Sequence, residues 1–230
     1  MSDECLLSYE SKNQVIEKRV LSVRNYRSYY ARHYFPPPYK QTSYQKLEYT
    51  MDGISYMSSR MDAELITGII IQACRSKNIN FHNIKITDAT AGLGGNTISF
   101  ARLFKHVNAI EQDIVPYTIL KKNLREYPYE NITLINDDYL YVCHKLQQNV
   151  IFIDPPWGGK NYIKFTHLKL KLSGIPLEKL CQILLEHHIV VLKLPINYDF
   201  DDFKEMQVRD EKLLISIYRL KKMYIIVLMK

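Results

Sequence analysis

From Met61 to Lys230 the chain alternates between two spacings of apolar residues. "MDAELITGIIIQACRS" carries the 3.6-residue recurrence of a helix, and "IKITDATAGLGGNT" reads as a short strand running into a glycine turn. "ISFARLF" then predicts a helix and "HVNAIEQD" a strand. "VPYTILKKNLREY" opens a helix with proline in its first turn, and "ITLINDD" is again a strand. A helix is expected over residues 139–146, followed by "NVIFID", an unbroken apolar run of the kind buried on both faces. "PLEKLCQILLEHH" predicts a helix, "IVVLKLP" a strand and "YDFDDFKEM" a shorter helix. "LLISIYRL" and "MYIIVLMK" close the chain with only Lys221 and Lys222 between them. Strands separated by helices predict an α/β fold with a mainly parallel sheet covered on both faces. The last two strands are too close for a crossover helix, so they must form a C-terminal antiparallel hairpin.

Residues 1–60 have another texture. They are polar and tyrosine-rich, and "FPPPY" at Phe35–Tyr39 excludes a continuous helix. The expected organisation is a small N-terminal extension over 1–60 and one α/β domain over 61–230.

Composition narrows the class. An apolar fraction of 47% and a charged fraction of 24% are those of an ordinary globular chain. The formal charge of +7 favours polyanionic partners, of which nucleic acid is the commonest. Cys5, Cys74, Cys143 and Cys181 form no CxxC pair, and His187-His188 lacks partners at metal-ligand spacing. Neither a disulfide frame nor a metal site is therefore expected. The first residues, "MSDECLLSYESKNQ", hold no apolar signal core, and no apolar run approaches the ~20 residues that span a bilayer. The expectation is an intracellular protein of cytoplasm or nucleus, without a membrane partner and acting as a monomer.

Candidate chemistry lies at the strand ends, where open α/β sheets bind ligands. "DATAGLGGNT" (Asp88 to Thr97) places Ala91, Gly92, Gly94, Asn96 and Thr97 in a turn that lets backbone approach a ligand closely. The turn reads GxGG and lacks the third glycine of a dinucleotide cradle. Glu111 ends the next strand, placed to accept bonds from ribose hydroxyls. Asp138 and Tyr139 end the third, placed to read an adenine amino group and cover its ring. Three such strand ends favour an adenosyl ligand, and S-adenosylmethionine suits them better than NAD because no pyrophosphate cradle is present.

The fourth strand ends in "DPPWGG". Pro155 and Pro156 remove two backbone donors and leave carbonyl acceptors. An exocyclic amine on a base is a poor nucleophile because its lone pair is delocalised into the ring. Bonds accepted from it by Asp154 and the Pro155 carbonyl would orient it and stabilise the positive charge that develops on nitrogen. Trp157, the only tryptophan, offers a stacking face worth ~1–3 kcal/mol. Methylation of an amino group on a base is the expected chemistry, with Asp154, Pro155 and Trp157 as its catalytic set and no metal.

The layout of these elements resembles the Rossmann-like class I methyltransferases. "DATAGLGGNTISFA", "AIEQD", "NDDYL", "DPPWGGKNY" and "VVLKLPINYD", in that order, resemble the trimethylguanosine synthase family, which methylates guanine N2 of RNA caps already methylated at N7. The resemblance runs from about Met51 to Leu228 and is most specific in the GGNT turn and in PPWGG followed by Tyr162. It implies S-adenosylmethionine as cofactor and a 7-methylguanosine RNA cap as partner. It implies that Trp157 stacks on the cationic base and that Asn123 contacts it. It places Ser59 and Asn197 at the substrate side, and Arg32, in "YYARHY", near the cap triphosphate. The sequence departs from the family at two positions. Asp154 stands where the family usually has serine, and Ile196 where it commonly has a phosphate-binding arginine, which leaves Lys160, Lys193 or the N-terminal arginines for the phosphates. The rival chemistries are N6-adenine methylation in RNA or DNA and N2 methylation of an internal guanine. A cap-binding module without turnover is the non-enzymatic alternative.

Overall fold

The computed structural model describes residues 21–22, 29–38 and 41–230. Its centre is a seven-stranded sheet of β1 (Lys85–Asp88), β2 (His106–Ile110), β3 (Ile132–Ile135), β4 (Val150–Ile153), β5 (Ile189–Pro195), β6 (Leu214–Arg219) and β7 (Met223–Met229). Their order across the sheet is β3-β2-β1-β4-β5-β7-β6. The first five run parallel, whereas β7 lies antiparallel to both β5 and β6. The fold is therefore the α/β arrangement with a C-terminal antiparallel hairpin that the spacing of strands predicts.

Alternation along each strand divides the core into two layers. Val150 and Phe152 of β4, with Ile189 and Val191 of β5, pack beneath helix α1 (Arg60–Ser76) and helix α2 (Gly95–Ala101). Ile151 and Ile153, with Val190, Leu192 and Leu194, face the opposite layer. There they meet helix α5 (Leu177–Leu184) and helix α6 (Asp201–Arg209). Helix α3 (Ile114–Leu124) connects β2 to β3. The helix expected over 139–146 is shorter: α4 covers Tyr139–Val142, and the chain tightens into a 3-10 turn at Cys143–Lys145, with Leu146 N donating to Cys143 O at 3.2 Å.

Two small features escape the hydrophobic pattern because each strand has two residues. Lys171–Leu172 and Ile175–Pro176 pair around Ser173 and Gly174, both at positive φ (48° and 85°), as a tight two-residue hairpin demands. Leu21–Ser22 pairs with Glu48–Tyr49.

The described part of the N-terminal extension packs against the main domain. Ala31, Phe35, Tyr44, Leu47, Tyr49 and Ile54 form a cluster with Leu93, Ile98, Ile119 and Tyr127. Tyr127 donates its hydroxyl to Pro36 O at 2.8 Å. This cluster seats residues 44–59 beside the glycine turn. Cys74, Cys143 and Cys181 are free thiols, and Cys5 lies outside the described residues.

Candidate active site

The glycine turn follows β1 and is tied into the sheet at both ends. Ala89 N donates to Phe152 O and Ala91 N to Ile110 O, so the turn bridges β4 and β2. Gly94 caps α2 at φ 99°, and a Cβ there would meet Leu120 Cδ1 at 2.4 Å. Both conformation and space require glycine at this position. A Cβ at Gly95 would lie 2.9 Å from Met57 Cε, the far end of a flexible side chain, and 3.5 Å from Ser58 O, so the segment before α1 passes close to this glycine.

Glu111 organises this turn from the end of β2. Its Oε2 accepts from Gly92 N and its Oε1 from Asp113 N, each at 2.8 Å. Burial pushes its carboxyl above the usual range, and the two N–H donors oppose that shift. Each oxygen retains a second lone pair, the acceptor capacity that two ribose hydroxyls require.

Asp88, 1% exposed, accepts the Thr97 hydroxyl on Oδ2 at 2.6 Å, while its Oδ1 is buried with no hydrogen-bond partner. Asn96 Oδ1 is likewise buried without a partner, its amide nitrogen donating to Ser58 Oγ at 3.3 Å. Two buried acceptors lacking donors are costly unless a ligand supplies them. The ammonium of the methionine moiety of S-adenosylmethionine is such a donor, and the residues fit this cofactor. Burial, reinforced by the nearby Asp154 and Glu111 carboxylates, pushes Asp88 up to about 7 against an ordinary 3.8. The free folded state thus keeps a proton that the unfolded chain loses near pH 4, so Asp88's contribution to stability is lost as pH rises through 7. A cation beside Asp88 favours the ionised form, so S-adenosylhomocysteine should bind more tightly as pH rises from 6 to 7.5. The expected slope is about tenfold per unit below 7. Calorimetry across that range checks this, and Asp88→Asn should flatten the dependence.

Asp154 follows β4. Its N–H donates to Thr90 Oγ1 at 2.9 Å, which joins the glycine turn directly to the DPPW segment. Its Oδ2 lies 2.5 Å from Lys193 Nζ, and the Asp154 side chain keeps 16% of its surface exposed. Burial raises its carboxyl, and the Lys193 ammonium opposes the shift. Trp157 is half-buried and packs against both core layers. The Tyr162 ring meets it edge-on, with centroids 5.1 Å apart, and Lys193 Nζ lies 5.3 Å from its centroid. Gly158 and Gly159, at φ 91° and 66°, turn the chain away from the indole.

The carboxyl ends of β1, β2 and β4 thus gather Asp88, Ala91, Gly92, Gly94, Asn96, Thr97, Glu111, Asp154, Pro155 and Trp157. Other expected residues are spent differently. Asn123 is fully buried, and its amide accepts from Glu48 N at 2.8 Å and donates to Glu48 O at 3.0 Å. It ties the N-terminal segment to α3 and presents no surface to a base. Ser59 caps α1, accepting from Asp62 N and donating to Asp62 Oδ2. Its neighbour Ser58, 2% exposed, is the serine that reaches the glycine turn. Tyr139, 2% exposed, packs in the core and does not cover a ligand ring. Asp138 caps α4 through Leu140 N at 2.9 Å. Asn197 donates to the carbonyls of Tyr162 and Phe165, each at 2.7 Å, and so shapes the loop beside Trp157. Arg32 is exposed, 5.5 Å from the Tyr44 ring centroid. Lys193 is 3% exposed and ion-paired, so it is not a phosphate-binding cation. Sequence reasoning missed Ser58 and Thr90, short hydroxyl residues with no signature of their own.

Among the described residues no group of three or more His, Cys, Asp or Glu side chains is arranged to hold a metal, and no helix is long and apolar enough to cross a membrane. The fold and the strand-end site define a class I methyltransferase. Solved structures of that architecture resemble it. A putative methyltransferase from Porphyromonas gingivalis W83 has a TM-score of 0.55 at 14% identity, covering 80% of this chain and 44% of that one. An rRNA methylase from Streptococcus thermophilus has a TM-score of 0.51 at 15% identity, covering 72% and 93%. Residues 83–228 match the RNA cap guanine-N2 methyltransferase family, and the chain belongs to that family. It is an S-adenosylmethionine-dependent methyltransferase. An uncharacterised protein of Acanthamoeba polyphaga mimivirus, L320, is 34% identical over 216 residues, covering 84% of this chain and 83% of that one. The trimethylguanosine synthase of Schizosaccharomyces pombe is 39% identical over 84 residues, and that of Saccharomyces cerevisiae 26% over 150. These two matches cover 34% and 61% of this chain, and 35% and 47% of the synthases.

Proposed function

We propose that this protein transfers methyl to the exocyclic N2 of a 7-methylguanosine RNA cap, giving di- or trimethylguanosine ends. The observation that carries this reading is the adjacency of Asp154 and Trp157 at one strand end, an acceptor for an amine beside a half-buried aromatic plane. When bound, S-adenosylmethionine supplies an electrophilic methyl on its sulfonium. Asp88 and Asn96 would hold its ammonium, Glu111 its ribose, and the uncommitted oxygen of Asp138 its adenine amino group.

The protein's own contribution is positioning. Asp154 Oδ2 is held by Lys193, which leaves Oδ1 to accept from the N2 amine together with the Pro155 carbonyl. Those bonds orient the amine and stabilise the positive charge that develops on nitrogen. Trp157 stacks the base, and methylation at N7 makes that base cationic, which strengthens its attraction to the indole face. Tyr56, whose hydroxyl lies near Gly159 and whose carbonyl meets Lys193, would wall the acceptor side, and Arg32 is a candidate for the cap phosphates.

Short RNAs differing only at the 5′ end test this reading. Label from S-adenosylmethionine should enter an RNA with a 7-methylguanosine cap and spare the same RNA with a 5′ triphosphate. Equal labelling of both would replace the cap reading with an internal base.

A further inference from the structure

A lysine in the middle of "IVVLKLP" is an expensive choice for this fold. All seven residues of β5 are buried, and Lys193 is 3% exposed between Leu192 and Leu194, both fully buried. Desolvating an ammonium is unfavourable, and an apolar residue would serve packing better. What Lys193 gains is set by the sheet register. β4 and β5 run parallel with Phe152 opposite Val191 and Ile153 opposite Leu192, so the next step sets Asp154 opposite Lys193. Both side chains leave the sheet on the same face. There Lys193 Nζ lies 2.5 Å from Asp154 Oδ2, 3.5 Å from Tyr56 O and 5.3 Å from the centre of the Trp157 ring.

We infer that Lys193 is a positioning residue for methyl transfer, one buried cation that fixes both the amine-accepting carboxylate and the ring that stacks the base. This rests on the proposed function for the role of Asp154. The contacts divide the work. The ion pair favours the ionised, acceptor-only form of Asp154 against its burial, and locks its rotation so that Oδ1 faces the acceptor. The indole contact sets the stacking plane relative to that carboxylate. The Tyr56 carbonyl links the arrangement to the N-terminal segment, whose Tyr56 hydroxyl also lies near Gly159. Charge balance matters as well. Paired with Asp154, Lys193 adds no net charge beneath Trp157, so a cationic base is not repelled. The other carboxyl near Asp154 is Asp88 on β1, whose pKa the Asp154 charge helps to raise; what opposes ionisation of Asp154 is its own burial, and the Lys193 cation counters that burial.

Lys193→Met keeps the length and removes the charge. With 7-methyl-GTP as acceptor it should lower kcat/KM about 100-fold at pH 7, with S-adenosylhomocysteine affinity changed less than threefold. The acid limb of its pH–rate profile should move up by at least one unit, so that part of the rate returns by pH 9. In an Asp154→Asn background the same substitution should cost less than tenfold, because the carboxylate through which Lys193 acts is gone. An unmoved acid limb, or an equal penalty in both backgrounds, would overturn the inference. Carbon-13 titration of aspartate-labelled protein reads the Asp154 carboxyl without any acceptor, its signal assigned by loss in Asp154→Asn. A midpoint higher by a unit or more in Lys193→Met supports the inference even if the wild-type protein leaves 7-methyl-GTP unlabelled, a result that would instead reject the cap reading. An unchanged midpoint removes the positioning role whatever the acceptor is.

Discussion

Trp157→Ala is expected to reduce methyl transfer to 7-methyl-GTP by about a hundredfold or more while S-adenosylhomocysteine affinity changes by less than threefold. The indole would provide the stacking plane for the base, worth ~1–3 kcal/mol, and truncation also releases Lys193 from the ring beside Asp154. The proposed cofactor residues Asp88, Asn96 and Glu111 make their hydrogen bonds to other groups, so their pocket should survive. Trp157→Phe, which keeps an aromatic face, should recover much of the loss. Trp157 also packs against both core layers, so alanine is expected to lower stability by ~1–3 kcal/mol. Thermal melting and calorimetric titration separate the two effects. Loss of cofactor and acceptor binding together would mean that the residue serves the core alone.

Glu111→Ala should produce the opposite split. Its carboxylate accepts the backbone N–H groups of Gly92 and Asp113, which places the glycine turn over the end of β2. Removing it orphans two donors and takes away the proposed ribose acceptor. Affinity for S-adenosylhomocysteine should fall about a hundredfold or more, with stability lower by ~1–3 kcal/mol. Glu111→Gln retains one acceptor oxygen and should fall between the two. A cofactor affinity unchanged in Glu111→Ala would remove Glu111 from the cofactor site.

The parts of this fold that were legible in the sequence are those governed by local rules. Apolar spacing marks the seven sheet strands, and the two-residue gap at Lys221-Lys222 forces the antiparallel hairpin. The glycine turn and DPPW are legible for the same reason: φ, missing N–H groups and strand-end placement are properties of a few adjacent residues. What escaped is set by distance along the chain. Asn123 reaches the backbone of Glu48, 75 residues away, so its buried amide resembles an exposed helical one until the N-terminal segment is in place. Ser58 and Ser59 differ by one position, and only the start of α1 decides which one caps the helix and which one turns inward. Tyr139 sits at a strand end by sequence, yet the turn into α4 carries its ring into the core.

Lys193 was read from the sequence only as a candidate cation for the cap phosphates. A charge inside a seven-residue apolar strand signals either an edge strand or a buried partner, and the sequence cannot name a partner 39 residues earlier. Only the parallel register of β4 and β5 selects Asp154. The departure from serine at Asp154 and the lysine on the neighbouring strand then become one feature, an ion pair built into the proposed amine-binding end of the sheet.

The destination of the methyl group decides the proposed chemistry. The purified protein should be incubated with labelled S-adenosylmethionine and either 7-methyl-GTP or GTP, and the nucleoside products resolved against N2,7-dimethylguanosine and N2,N2,7-trimethylguanosine. Label is expected in one or both of these products from 7-methyl-GTP and none from GTP. Label on GTP to the same extent, or on neither acceptor while an adenine-containing RNA is methylated at N6, would contradict the proposed chemistry.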